Sequence, residues 1–254
     1  MESALDQEFK NLCVFISKEY NIAIEENKDL IDLTKASLTL LISLKIWDKH
    51  ITDNDKIFFG AKYYFKEIIS NINHAIILFI LGLKIPCIIM LRRSQENILT
   101  FIYYSEHPIE FYKKEIDGHS KNFNGFKELK DYITSYPFDC KYLVSNQVVQ
   151  KVCSEVLEIW TEQYQELSNF VHGSNTKYFE KMEFLDELLI EKEKINYLYK
   201  NIEKLSSVLN SLLIIFFYDL YEKFDDELEK SPIRRAIKNE YNFKSKITDI
   251  FKAI

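Results

Sequence analysis

Tyr164, Ser168 and His172 recur every four residues near the end of an apolar-periodic stretch, residues 144–173, that stops at Gly173. On a helix of about 3.6 residues per turn this spacing lays the three side chains along one slowly drifting stripe. An imidazole at the tip of such a stripe can act as a general acid or base, with the hydroxyls of Ser168 and Tyr164 orienting it or a substrate. The unpaired carbonyls of a helix C-terminus favour its protonated form. The same residues also have a purely structural use. Histidine is favoured in a last helical turn and glycine just beyond it, so His172 and Gly173 equally read as a helix stop.

The second place to look for chemistry is arginine. The chain has only four, in two adjacent pairs, Arg92-Arg93 and Arg234-Arg235, and the planar guanidinium suits phosphate and carboxylate. Arg92 and Arg93 lie early in a stretch where Ile88, Leu91, Gln95, Ile98, Leu99 and Ile102 form a helical packing stripe. Arg93, Glu96, Asn97, Thr100 and Tyr104 form a second, polar stripe. If this helix packs beside the one ending at His172, one of its arginines, oriented by Glu96 through a charge-assisted hydrogen bond, supplies positive charge beside the histidine. The plain alternative is an Arg–Glu pair that only fixes packing.

The run YxxLSxFVHG over 164–173, preceded by LRRSQENILTFIYY over 91–104, resembles the HEPN superfamily of all-helical domains. It is most similar to divergent bacterial branches found among abortive-infection and other phage-defence proteins, and the resemblance spans residues 57–224 in helix order. It implies an all-α fold, a homodimer in which two such helices face each other, and, in catalytic members, metal-independent RNA cleavage without a cofactor. His172 matches the family's histidine and Ser168 stands for its polar neighbour. The family's arginine falls among positions occupied here by Gln165, Glu166 and Leu167. Cleavage through a 2′-hydroxyl needs both proton transfer and positive charge on the phosphate. Two expectations follow from the resemblance. In one, His172 is the acid/base, Arg93 or Arg92 (from this or a second subunit) holds the phosphate, and Tyr164, Ser168 and Glu96 support them in a ribonuclease effector of a defence or toxin-type system. In the other, the domain is catalytically silent and uses the same cleft to bind RNA, a nucleotide or a partner defence protein, while a separate effector does the chemistry.

These residues depend on helices for their placement. With 47% hydrophobic residues but only five glycines and four prolines, the chain favours a large core of long helices over a turn-rich β fold. Periodicity predicts helices over 3–25, 29–49, 55–81, 86–105, 108–116, 144–172 and 184–224, with a loop-rich excursion over 117–142. The last helix repeats Leu198, Ile202, Leu205, Leu209 and Leu212 as a spine or a dimer surface, and residues 212–218 are apolar all round. The apolar run 75–91 is interrupted by Gly82, Lys84 and Pro86, which predicts two buried helices joined by a turn and not a membrane span. The expected architecture is an all-α, mostly antiparallel bundle over 1–230 followed by a tail over 231–254.

A net charge of -6 argues against coating nucleic acid by overall charge. The tail is locally basic, with Arg234, Arg235 and Lys238 among interleaved aromatics, so it either touches nucleic acid or a partner, or docks as an amphipathic helix. Four scattered cysteines, with Cys140 in a predicted loop, suit reduced thiols in a cytoplasmic protein, and the N-terminus lacks the apolar core of a signal peptide. No His, Cys or carboxylate spacing fits zinc, and there is no P-loop or dinucleotide fingerprint, so neither metal nor cofactor is expected. His74, in an apolar helix, predicts a packed core histidine; His107 predicts a turn residue, and His50 and His119 predict loops.

Overall fold

The scarcity of helix breakers is realised directly. The computed structural model describes residues 3–117, 126–142, 144–173, 176–179 and 192–251, and no strand occurs among them. Among these described residues thirteen α-helices follow in order: α1 (Ala4–Tyr20), α2 (Lys28–Asp53), α3 (Asp55–Phe58), α4 (Lys62–Ile80), α5 (Lys84–Glu106), α6 (Pro108–Asp117), α7 (Phe126–Thr134), α8 (Phe138–Tyr142), α9 (Asn146–Val171), α10 (Lys192–Phe216), α11 (Tyr218–Tyr221), α12 (Ser231–Ala236) and α13 (Phe243–Phe251). Their ends carry the expected chemistry. The side chains of Ser3 and Asn27 accept hydrogen bonds from the amides of Asp6 and Leu30 and cap α1 and α2. Gly82, at φ 79°, turns the chain so that its own amide and that of Leu83 return to the carbonyls of Phe79 and Leu78. Pro86 then sits in the first turn of α5, and α4 and α5 become a tight hairpin. No helix among the described residues is long and apolar enough to cross a membrane.

The centre of the bundle is α10. Every residue from Leu205 to Phe217 is buried, so this helix is sheathed on all sides, by α2, α5, α9, α12 and α13. Some of the polar groups it carries inward are paired, while Asn210 Oδ1 and the Ser211 hydroxyl are buried without a partner among the described residues. The Ser206 hydroxyl donates to the Ala236 carbonyl at 2.7 Å, and the Asn210 amide donates to the Ser43 hydroxyl at 3.0 Å. Being covered by its own chain, this segment is a spine and not a dimer surface. The predicted helix over 184–224 also ends earlier, at Phe216. There the buried Tyr142 hydroxyl donates to the Phe216 carbonyl (2.6 Å) and accepts from the Tyr218 amide (3.2 Å), so a side chain satisfies the backbone across a break. The part of that prediction over 184–191 lies outside the described residues.

Other expectations are corrected. The predicted helix over 55–81 is interrupted after Phe58, because the chain passes so close to α6 that a Cβ on Gly60 would come within 2.0 Å of the Phe111 ring. The first helix stops at Tyr20, where Asn21 takes the left-handed conformation at φ 56°. The excursion over 117–142 contains α7 and α8, which bury Leu129, Ile133, Phe138 and Tyr142; Cys140 is therefore on a helix, and exposed. His74 is exposed, not packed in the core, and His119 lies outside the described residues. His50 is on the last turn of α2, not in a loop.

After α11 the chain returns to the bundle. Ile233, Ala236, Phe243, Ile247, Ile250 and Phe251 are buried, and α12 packs on α2. The turn before α12 presents Glu229 to Lys49 (3.0 Å) and to His50 Nε2 (3.0 Å), whose ring stacks on Phe224 at 3.8 Å. Burial pushes the Glu229 carboxyl up, but hydrogen bonds from Lys49, the Asp225 amide and His50 outweigh it and bring it down to about 2 from an ordinary 4.5. A depressed carboxylate stabilises the fold above its unfolded pKa, and that contribution is lost as pH falls through the folded value. Glu229→Gln is therefore expected to cost about 1–2 kcal/mol at neutral pH and to flatten the decline in stability between about pH 4.5 and pH 2. Urea midpoints measured across that range test this; parallel acid limbs for wild type and variant contradict it.

Candidate functional site

The helices named by the two sequence motifs, α5 and α9, pack directly on each other. Their contacts run in opposite order. Lys84 of α5 lies over Phe170 of α9, Arg92 meets Tyr164, and Gln95 meets Trp160 and Gln163. The pair is antiparallel, so the N-terminal turn of α5 lies beside the C-terminal turn of α9. The deepest contacts form a polar chain. Gln95 Nε2 donates to Gln163 Oε1 at 2.8 Å, and Gln163 Nε2 donates to the carbonyl (2.7 Å) and side chain (3.0 Å) of Asn201 on α10. Trp160 Nε1 donates to the Gln95 carbonyl at 3.0 Å. All four residues are buried.

Arg92, Glu96 and Tyr164 are brought together at the edge of this interface. Arg92 Nη2 donates to the Tyr164 hydroxyl at 2.9 Å, and that hydroxyl donates to Glu96 Oε1 at 3.1 Å. Arg92 Nε lies 3.2 Å from the same carboxylate oxygen, an ion pair by distance without hydrogen-bond alignment. The guanidinium carbon sits 5.0 Å from the centre of the Tyr164 ring, which also stacks on the Trp160 ring at 4.8 Å and meets the Phe126 ring at 5.7 Å. The triad is charge-neutral, and its two ionic side chains are 17% and 21% exposed. A cation held this way has a carboxylate, a phenol and an aromatic face as partners already.

His172 is elsewhere. It follows α9 as its cap residue, with its amide on the Ser168 carbonyl at 2.9 Å and its side chain exposed. Tyr164 is eight positions earlier, about 12 Å along the axis at about 1.5 Å per residue, so the Arg92 triad lies about two turns from the imidazole. Among the described residues the imidazole makes no hydrogen bond or ion pair, and the buried Ser168 hydroxyl likewise has no partner. Arg93 faces the opposite way, pairing with Glu67 of α4 at 2.8 Å beside a groove lined by aromatic residues. The cation whose contacts reach the last turn of α9 is Lys84, 4.7 Å from the Phe170 ring and 5.0 Å from that of Tyr197. Gly173, at φ 56°, ends the helix in the left-handed conformation that glycine accepts without strain.

No family model, curated protein or solved structure matches this chain. In the tail, Arg234 Nε donates to the Tyr221 hydroxyl at 3.2 Å, Arg235 is exposed, and Lys238 pairs with Glu203 at 2.5 Å, so the three share no common target. No group of three or more His, Cys, Asp or Glu side chains among the described residues could hold a metal ion. Sequence reasoning passed over Lys84 and the Gln163–Asn201 contact. In the sequence Lys84 reads only as an interruption of an apolar run. Gln163 stands at the helical position next to Trp160 and Leu167, a polar residue on an apolar face, and that was the available signal.

Proposed function

We propose that this chain is a catalytically silent, HEPN-like binding module of a bacterial defence system, which recognises a partner and leaves the chemistry to a separate effector. The observation that supports this reading is the antiparallel register of α5 on α9. It sets Arg92 against Tyr164 and Glu96, about two helical turns from His172, and directs Arg93 to Glu67. Phosphoryl chemistry needs proton transfer and charge stabilisation on the same few atoms, and here the histidine and both core arginines are apart. The defence setting and the family rest on the resemblance of residues 91–104 and 164–173. In this reading the module works in the cytoplasm, as a homodimer or within a larger complex.

The test is metal-free incubation of the purified chain with a labelled single-stranded RNA, beside His172→Ala and Arg92→Ala. All three proteins are expected to leave the RNA intact and to be equivalent in a growth assay of the isolated chain. RNA cleavage by wild type that disappears in His172→Ala overturns the proposal and restores the nuclease reading.

A further inference from the structure

Where the C-terminal segment comes back to the bundle it leaves a cleft of about 240 Å³, lined from α10, α11, α12 and α13. Ile214, Ile247 and Phe251 are buried and make an apolar floor. Tyr218 lies flat on Phe251 with ring centres 3.7 Å apart. Arg234 and Thr248 are exposed at the mouth, and Lys244 is half-buried in the lining.

The charge of this cleft is one-sided. Both ionic side chains in the lining, Arg234 and Lys244, are cations, and among the described residues no carboxylate lines it. Arg234 Nε donates to the Tyr221 hydroxyl at 3.2 Å, which steadies the guanidinium and leaves both Nη groups without a partner among the described residues. Lys244 Nζ donates to Asn239 Oδ1 at 2.8 Å, a neutral partner that leaves the ammonium charge unbalanced. Burial pushes the Lys244 pKa down and the nearby Lys238 ammonium adds to the effect, so an arriving anion relieves a penalty already present. The carboxylates that act on the two lining tyrosines, Asp219, Glu222 and Asp226, stand outside the lining, and Asp226 is taken by Lys230 at 3.0 Å. Lys238 and Lys246 pair with Glu203 and Glu155, so the positive charge does not continue as a stripe along which a polyanion would lie.

Size and charge together define the ligand. Sites for drug-sized molecules run to about 300–1,000 Å³, so this smaller cleft takes a body of about one ring. A guanidinium and an ammonium in one cleft match a phosphate monoester, at about −1.5 to −2 charges near pH 7, better than the single charge of a carboxylate. We propose that the cleft between α10, α11, α12 and α13 binds a small organic phosphate monoester, with its phosphate on Arg234 and Lys244 and its compact apolar body on Ile214, Ile247 and Phe251. The site shares no residue with the Arg92 cluster or His172. The inference goes beyond the binding-module reading and does not rest on it.

The test is isothermal titration of the full-length chain with phenyl phosphate. A Kd of about 10–100 µM is expected, with inorganic phosphate and benzoate each weaker by about ten-fold, since each offers only part of what the cleft recognises. Arg234→Gln and Lys244→Gln are each expected to weaken phenyl phosphate about ten-fold. Arg234→Gln also loses the bond to Tyr221, so Thr248→Glu serves as a second variant. It sets a carboxylate in the mouth from an exposed position and is expected to weaken binding about ten-fold as well. Arg235→Gln, outside the lining, is expected to bind as wild type does, and circular dichroism verifies that all variants keep their helices. The absence of phenyl phosphate binding overturns the proposal, and so does undiminished binding by Arg234→Gln or by Thr248→Glu, or an equal loss in Arg235→Gln. Inorganic phosphate bound as tightly as phenyl phosphate means an adventitious ion only and overturns it too. Benzoate bound as tightly overturns the choice of phosphate. A phosphotyrosine peptide bound more tightly than phenyl phosphate assigns the phosphate to a partner protein and overturns the small-molecule assignment. The readout is equilibrium binding without cleavage, so its outcome is independent of the His172 experiment.

Discussion

Replacing Gln163 by alanine is expected to lower the free energy of unfolding by about 3–4 kcal/mol, the largest effect of any single polar residue near the candidate site. Gln163 is fully buried where α5, α9 and α10 meet. Truncation opens a cavity, removes the acceptor of Gln95 Nε2, and removes the donor to Asn201. Gln95 then keeps only a 3.4 Å contact from the same nitrogen to the Trp160 carbonyl. Gln163→Leu fills the space but leaves the same groups unpaired, so it is expected to recover only part of the loss. Gln95→Leu/Gln163→Leu is expected to be milder than the sum of its single variants by about 1–2 kcal/mol, because neither partner is then stranded. Urea unfolding of wild type, Gln163→Ala, Gln95→Leu, Gln163→Leu and the double variant measures this. A loss below about 1 kcal/mol for Gln163→Ala, or strict additivity in the cycle, contradicts the role given to the chain of amides.

The second large effect is expected at Tyr142. Its hydroxyl serves the Phe216 carbonyl and the Tyr218 amide across the break between α10 and α11. Tyr142→Phe removes one oxygen and leaves two backbone groups without their partner, at an expected cost of about 2–3 kcal/mol. Burial pushes the Tyr142 phenol well above its ordinary 10.0, with a smaller opposing effect from its bond to the Tyr218 amide. A raised folded pKa means that stability is fully present below about pH 10 and is lost as pH rises above it, because only the unfolded chain ionises there. The phenylalanine variant is therefore expected to start lower and to decline less steeply in alkali. Its Tyr218 amide is expected to exchange with solvent faster than in wild type. An unchanged alkaline limb together with unchanged exchange at Tyr218 would falsify this account of the break.

The positions of most helices were legible because period and punctuation agree. Ile88, Leu91, Ile98, Leu99 and Ile102 fall on one face and are all buried, and Gly82 with Pro86 marks the α4–α5 turn. The interruptions were not legible, because their causes are distant in sequence. Phe111 explains the break at Gly60, and Tyr142 explains the break after Phe216. The site was legible in part. Periodicity identifies which face of a helix is buried, but it says nothing about how far one helix slides along another. The Arg92–Glu96–Tyr164 cluster needed that slide, and so did its separation from His172. Adjacent residues on a helix point about 100° apart, so Arg92 and Arg93 were bound to serve different neighbours. Which one met α9 was a matter of register alone.

The return of the C-terminal segment has a consequence for biogenesis. The outer side of α2 is covered by α12, Lys49 and His50 are met by Glu229, and the Ser206 hydroxyl on α10 is met by the Ala236 carbonyl. The flank of α2 that faces α12 is thus covered only by a segment some 180 residues later in the chain. Local pairs such as α4 with α5 can form during synthesis, but this flank of the core closes only once α12 has been made and has left the ribosome. Between the synthesis of α2 and that of α12 the nascent protein carries an open flank, which is the interval in which a chaperone would find it.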